Sequence, residues 1–83
     1  MKWKVLDSKR GAVLTTNSGT VMGGLTRSTH FVVGCVTKPS GAVMINGITM
    51  SLLGLYPSVG DAAKAIEREV RAFLHSGRYP NIV

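Results

Sequence analysis

One long stretch of this sequence, from about residue 58 to residue 76, has hydrophobic residues at the spacing of a helix. Apolar residues recur there at steps of three and four and form one stripe: Val59, Ala62, Ala63, Ile66, Val70, Phe73 and Leu74. Ser58 is a good N-cap, Asp61 follows it as in a capping box, and Gly77 is a typical stop signal. These signals predict one amphipathic helix that buries a single face.

Upstream of this helix the hydrophobic period falls to two. Asn46-Gly47 is typical of a type I′ hairpin turn between residues 42–45 and 48–51. The turn predicts three cross-strand pairs: Ile45 with Ile48, Val43 with Met50, and Met44 with Thr49. Further strands are predicted at 3–6, 12–16 and 30–36, and residues 20–25 are a weaker candidate because Gly23-Gly24 interrupts them. The sequence therefore predicts one α+β domain spanning residues 1–83. It is an antiparallel sheet of about four to five short strands followed by one C-terminal amphipathic helix packed on one face.

The strand predicted at 30–36 is apolar on both faces. One face carries Phe31, Val33 and Cys35, and the other carries Val32 and Val36. Three leucines, Leu52, Leu53 and Leu55, add to the apolar excess. Because one helix cannot cover both faces of a sheet, either the sheet rolls into a barrel or a second subunit covers the open face. Of these alternatives we expect a homo-oligomer.

Composition limits the class of protein. The single cysteine, Cys35, excludes an intramolecular disulfide framework. The N-terminal residues lack the apolar core of about 7 to 15 residues that a signal peptide needs. No stretch approaches the roughly 18 apolar residues that span a membrane. We therefore expect a cytoplasmic protein that does not contact a membrane.

The net charge of +6 is concentrated before residue 58. Six cations lie there against the single acid Asp7, for a net +5: Lys2, Lys4, Lys9, Arg10, Arg27 and Lys38. Such a field favours polyanionic partners, including nucleic acid, although it also keeps a small apolar protein soluble. We take these six cations, with His30 beside them, as the candidate nucleic-acid-binding set. Trp3 and Tyr56 are candidates for stacking on bases.

The helix carries a second basic stripe, formed by Lys64, Arg68, Arg71 and His75. Glu67 precedes Arg71 by four residues, which is the spacing of an ordinary surface ion pair. Residues 58–83 together carry a net charge of only +1. We therefore interpret the stripe as a solvated face.

Few residues have the chemistry of a catalytic or metal site. Cys35, His30 and His75 are the only thiol and imidazole groups, and no two of them are closely spaced. A cysteine nucleophile needs an adjacent base, yet a strand would point His30 and Cys35 to opposite faces. The run from Thr15 to Thr20 can in principle cradle an anion, but a polar turn is the favoured interpretation. We expect no metal, no cofactor and no catalytic activity.

Residues 53–81 resemble part of AP2-type DNA-binding domains. The resemblance rests on Leu53-Gly54-Leu55-Tyr56-Pro57-Ser58 and on Asp61-Ala62-Ala63-Lys64-Ala65-Ile66-Glu67-Arg68. It implies a sheet-plus-helix shape and a role in DNA binding. AP2-type sheets read DNA with arginines and tryptophans, whereas the matching strands here are mainly apolar. The resemblance thus implies the shape more than a DNA-reading surface.

The sequence as a whole favours a small basic binding or regulatory protein that contacts nucleic acid through its strand-rich half. The alternative is a protein-interaction module or small inhibitor that acts through an apolar sheet face. A viral origin, from a phage, is suggested only by the small size.

Overall fold

A computed structural model describes residues 1–6, 10–38, 41–45 and 47–76. These residues form six strands and one helix: β1 (Lys2–Val5), β2 (Gly11–Thr15), β3 (Val21–Arg27), β4 (Val32–Thr37), β5 (Val43–Ile45), β6 (Ile48–Tyr56) and α1 (Val59–Ser76). The strands form one antiparallel sheet in the order β1-β2-β3-β4-β6-β5. The helix packs against β3, β4 and β6. The predicted α+β fold is confirmed, with six strands instead of four to five.

The hairpin of β5 and β6 has the predicted register. Its pairs are Val43 with Met50, Met44 with Thr49, and Ile45 with Ile48. Gly47 has the positive φ, 80°, that a type I′ turn requires, while Asn46 lies outside the described residues. The strand β6 runs to Tyr56, beyond its predicted end at residue 51. The register with β4 shifts between Gly34 and Cys35, and this irregularity interrupts the alternation that marks a strand in the sequence.

The helix begins at its predicted cap but does not bury its whole apolar stripe. The Ser58 Oγ accepts a hydrogen bond from the Asp61 amide at 3.2 Å, as an N-cap does. The fully buried residues lie in the middle of the stripe: Ala62, Ile66 and Val70. Phe73 is only half-buried, and Val59 and Leu74 are exposed. The helix therefore buries one face, as predicted, but only over the middle of its apolar stripe, and Gly77 lies outside the described residues.

Two glycines allow the helix to approach the centre of the sheet. A Cβ added at Gly23 would lie 2.8 Å from the Ile66 Cγ2, and one added at Gly34 would lie 3.4 Å from its Cδ1. Ile66 therefore occupies space that any larger residue on these strands would fill. Around it forms the helix-side core: Leu14, Met22, Leu25, Val32, Val36, Ala62, Ile66 and Val70.

The opposite face of the sheet has a core of its own because the sheet curls. This second core contains Val13, Cys35, Ile45 and Met50. The curl brings β5 into contact with β3, although β4 and β6 separate them in the sheet. Met50 reaches across to β3, where a Cβ added at Gly24 would lie 3.3 Å from its Cε. The curled sheet thus covers much of its second face by itself, and the expected homo-oligomer stays a prediction.

The outer strand β1 is tied to the helix by a polar contact. The Trp3 Nε1 donates a hydrogen bond of 2.7 Å to the Glu67 carboxylate, and the indole packs against the helix-side core. Hydrogen bonds to charged groups contribute about 1.5 to 3 kcal/mol. This bond fixes Trp3 as a structural residue.

We expect Ile66→Ala to lower the free energy of unfolding by about 2 to 5 kcal/mol, because it leaves a cavity above Gly23 and Gly34. Urea unfolding followed by circular dichroism measures the loss. Leu74→Ala is the matched control on the same helix, because Leu74 is 50% exposed, and it should change the stability by less than about 0.5 kcal/mol. Equal losses for the two variants would contradict this packing.

Candidate functional site

Two of the predicted cations converge at one end of the sheet. The Arg27 amide donates a hydrogen bond of 2.7 Å to the Arg10 carbonyl, one step beyond the pairing of Gly11 with Thr26. Both arginine side chains are exposed. With Ser28 and Thr29 they line a cleft of about 430 Å³, which we call the Arg10–Arg27 cleft. Antiparallel pairing of β2 with β3 therefore places two guanidinium groups beside two hydroxyl groups.

The same arginines border a smaller hollow on the helix side of the sheet. This hollow has a volume of about 170 Å³ and is lined by Val5, Arg10, Gly11, Ala12, Leu25, Arg27 and Val59. Val59 is the first residue of α1, whose N-terminal end carries a partial positive charge. The first helical turn also holds Asp61, so the helix end adds little net positive charge. The arginines supply most of the positive charge at this end of the sheet.

The remaining predicted cations do not join this cleft. Lys2 and Lys4 are exposed on the outer strand β1, where they pair with Thr15 and Val13 on the face away from the helix. Lysines on an outer strand also discourage pairing with a strand of another molecule. Their position is therefore compatible both with contacts to an anion and with protection of the edge.

Lys38 lies at the opposite end of the sheet. It follows the last residue of β4, whereas Arg27 pairs with Val32, the first residue of that strand. At about 3.3 Å per residue, these positions are about 20 Å apart. Lys38 is half-buried and its amide bonds to the Thr49 carbonyl at 3.4 Å. Lys9 lies outside the described residues. The predicted set is thus spread over several parts of the surface.

The basic stripe on the helix has the predicted surface pairing at one position. Arg71 lies 3.6 Å from the Glu67 carboxylate, the same carboxylate group that accepts the bond from Trp3. Lys64, Arg68 and His75 are exposed. Because Glu67 offsets Arg71, the stripe has less positive charge than its cations alone suggest.

The two aromatic residues proposed for stacking are held within the fold. Trp3 is bound to Glu67, and Tyr56 packs its ring against glycines of β4 and β6. A Cβ added at Gly34 would lie 2.8 Å from a Tyr56 ring carbon. One added at Gly54 would lie 2.8 Å from the Tyr56 hydroxyl oxygen. Burial raises the pKa of Tyr56, and the nearby Glu69 charge raises it further. Phe31 is a third aromatic residue, and the sequence predicted it on a strand face. It is exposed and lies just before β4.

The residues with nucleophilic or metal-binding chemistry are not assembled into a site. Cys35 is fully buried, and this burial raises the pKa of its thiol. His30 lies in the exposed turn before β4, and His75 is exposed near the end of α1. Within residues 1–6, 10–38, 41–45 and 47–76, no group of three or more His, Cys, Asp or Glu side chains is close enough to hold a metal ion. The structure places Cys35 as a core residue.

The polar run after β2 is a turn closed by its own hydrogen bonds. The Thr16 amide bonds to the Thr20 carbonyl at 2.9 Å, and the Gly19 amide bonds to the Thr16 carbonyl at 3.0 Å. The Thr20 amide donates to the Thr16 hydroxyl at 3.2 Å. These three amides are therefore already used, which favours the interpretation of a polar turn over that of an anion cradle.

Comparison with known proteins gives no relative. No protein-family model, no curated protein and no solved structure matches this chain. In the described part of the chain, no helix has the length and apolar character needed to cross a membrane.

We expect the Cys35 thiol to react with a disulfide reagent at pH 8 only after unfolding, because it is fully buried in the second core.

Burial raises the pKa of both Cys35 and Tyr56, so the folded state holds both protons more tightly than the unfolded state. The contribution of these two groups to the free energy of unfolding is therefore fully present below their unfolded pKa values. It is lost as the pH rises above about 9.

Labelling with and without urea, and urea unfolding between pH 7 and pH 10, measure these effects. Cys35→Ala is the matched variant, and its stability should fall less steeply with rising pH. Native labelling as fast as that of the unfolded chain would contradict the placement of Cys35 in the core.

Proposed function

We propose that this protein binds nucleic acid through phosphate contacts at the Arg10–Arg27 cleft. The observation that carries the proposal is the convergence of two exposed arginines and two hydroxyl-bearing residues at one end of the sheet. The guanidinium group presents a planar set of N–H donors that matches phosphate oxygens in pairs. Serine and threonine hydroxyls are common additional donors to phosphate.

The charge distribution supports the same partner. Residues before 58 carry a net charge of +5, and Lys2 and Lys4 contribute to it on β1, outside the cleft. Phosphate contacts of this kind are independent of base sequence and supply most of non-specific binding. The proposed role is therefore that of a small regulatory protein that binds the phosphate backbone of nucleic acid, without catalysis. The resemblance of residues 53–81 to AP2-type domains points to the same partner but adds no residue to the cleft.

We expect Arg10→Gln with Arg27→Gln to weaken binding to duplex DNA at every sequence tested. Removal of two phosphate contacts should flatten the plot of log K against log salt by up to about 1.8, at about 0.9 per phosphate. Fluorescence anisotropy between 50 mM and 200 mM salt measures both effects.

Lys64→Gln with Arg68→Gln is the matched control, because it removes the same charge from the exposed helix face. It should change both quantities less. A helix variant that is equally or more damaging would place the interface elsewhere, and no binding by the unaltered protein at 50 mM salt would refute the proposal.

A second candidate function, protein–protein association, is favoured by the open edge of β6. The strand β5 pairs only with Ile48–Met50, and no other described strand pairs with the same edge beyond Met50. Leu52 and Leu55 are 46% and 57% exposed on this part of the strand. A strand edge with apolar side chains can pair with another strand, and the same edge on a second copy is a self-complementary partner. The proposed assembly is a homodimer joined through β6.

For this assembly, light scattering at micromolar concentration should give a mass of twice 8.8 kDa. Leu52→Lys with Leu55→Lys should give a monomer, because charged side chains at an edge oppose pairing. Met44→Lys is the control, since Met44 is 66% exposed but lies on β5. A monomeric unaltered protein, or an unchanged dimer in the double variant, would contradict association through β6.

A further inference from the structure

Phe31 is an exposed aromatic residue on the turn that carries Ser28 and Thr29 of the Arg10–Arg27 cleft. It follows the turn at Thr29 and His30, and its carbonyl accepts a hydrogen bond of 2.8 Å from the Ser28 amide. Ser28 and Thr29 line the cleft, so one short turn carries both the aromatic ring and part of the cleft wall. The pairing of Arg27 with Val32 fixes the two arms of this turn.

Phe31 differs in its surroundings from the other aromatic residues that the structure describes. Trp3, Tyr56 and Phe73 are half-buried and pack against the helix-side core. Phe31 is 38% exposed and belongs to neither core. Its ring leaves apolar surface in water that a phenyl group ordinarily buries. Neither of the two cores accounts for an aromatic residue at this position.

An exposed ring at the same end of the sheet as two guanidinium groups has the chemistry of a site for single-stranded nucleic acid. Proteins that bind single strands combine positively charged grooves for phosphates with aromatic side chains on which bases stack. In a duplex the faces of the bases are covered by their neighbours, so a surface phenyl group cannot stack on them. In a single strand these faces are accessible.

We infer that the site takes single-stranded DNA or RNA, with phosphates held by Arg10 and Arg27 and a base stacked on Phe31. This inference rests on the proposed function and adds the class of nucleic acid to it. Stacking is tolerant of base identity because every base has a flat aromatic face. The preference is therefore for the single-stranded state and not for a sequence.

The experiment compares a fluorescent single strand of about 12 thymidines, within the usual site size, with a duplex of the same length. Anisotropy is measured at 50 mM salt. We expect Phe31→Ala to weaken single-strand binding by about 5- to 150-fold and to leave duplex binding unchanged. Phe31→Trp should retain binding, because it restores a larger aromatic face.

Phe31→Leu keeps the apolar bulk and removes the aromatic face, so it should weaken single-strand binding even if Phe31→Ala perturbs folding. Full binding by Phe31→Leu would overturn the inference. Equal losses on single strand and duplex would overturn it as well, because the ring would then act through the shape of the turn.

The Arg10→Gln, Arg27→Gln double variant separates this inference from the proposed function. If it weakens binding while the Phe31 variants do not, phosphate binding stands and the single-strand inference fails. If it leaves binding to both forms unchanged, the proposed function itself fails. Association of the protein with itself, seen as a change in mass without oligonucleotide binding, would support the β6 interface instead.

Discussion

The contact between Ile66 and the two glycines beneath it determines how closely the helix can lie on the sheet. Cβ atoms at Gly23 and Gly34 would lie only 2.8 Å and 3.4 Å from the Ile66 side chain. These glycines are on adjacent strands, β3 and β4, so the closest approach falls at the centre of the sheet. The rest of the helix-side core fills the space on either side of this contact. The ends of the helical stripe remain exposed because they extend past this core.

The opposite face is covered through a similar use of small residues. Cys35 is a small core residue on β4, and Gly24 on β3 leaves space for the Met50 side chain. The covering strands come from the β5–β6 hairpin, which turns back over the sheet. Because β5 is only three residues long, this cover stops at Met50. Leu52 and Leu55, farther along β6, consequently remain accessible.

The local features of the fold could be predicted from sequence. The Asn46-Gly47 turn and its flanking alternation determined the hairpin register, and Ser58 determined the start of the helix. The apolar residues on both faces of β4 correctly indicated that each face needs a cover. The full length of β6 could not be predicted. Gly34 pairs with Gly54 and Cys35 with Leu52, so Leu53 is an extra residue that interrupts the alternation of β6. The ends of the apolar stripe are less buried than its middle, because periodicity alone does not report how far a core extends.

The candidate site was less predictable because it depends on long-range register. The charge distribution in the sequence identified Arg10, Arg27 and Lys38 alike. Only the pairing of β2 with β3 shows that the two arginines lie together, and Lys38 lies at the far end of β4. Phe31 has the pattern of a buried strand residue, since it alternates with Val33 and Cys35. Its position just before the first paired residue of β4 instead places it where neither core reaches. One end of the sheet therefore carries two guanidinium groups and an uncovered ring, a combination that neither charge nor periodicity indicates alone.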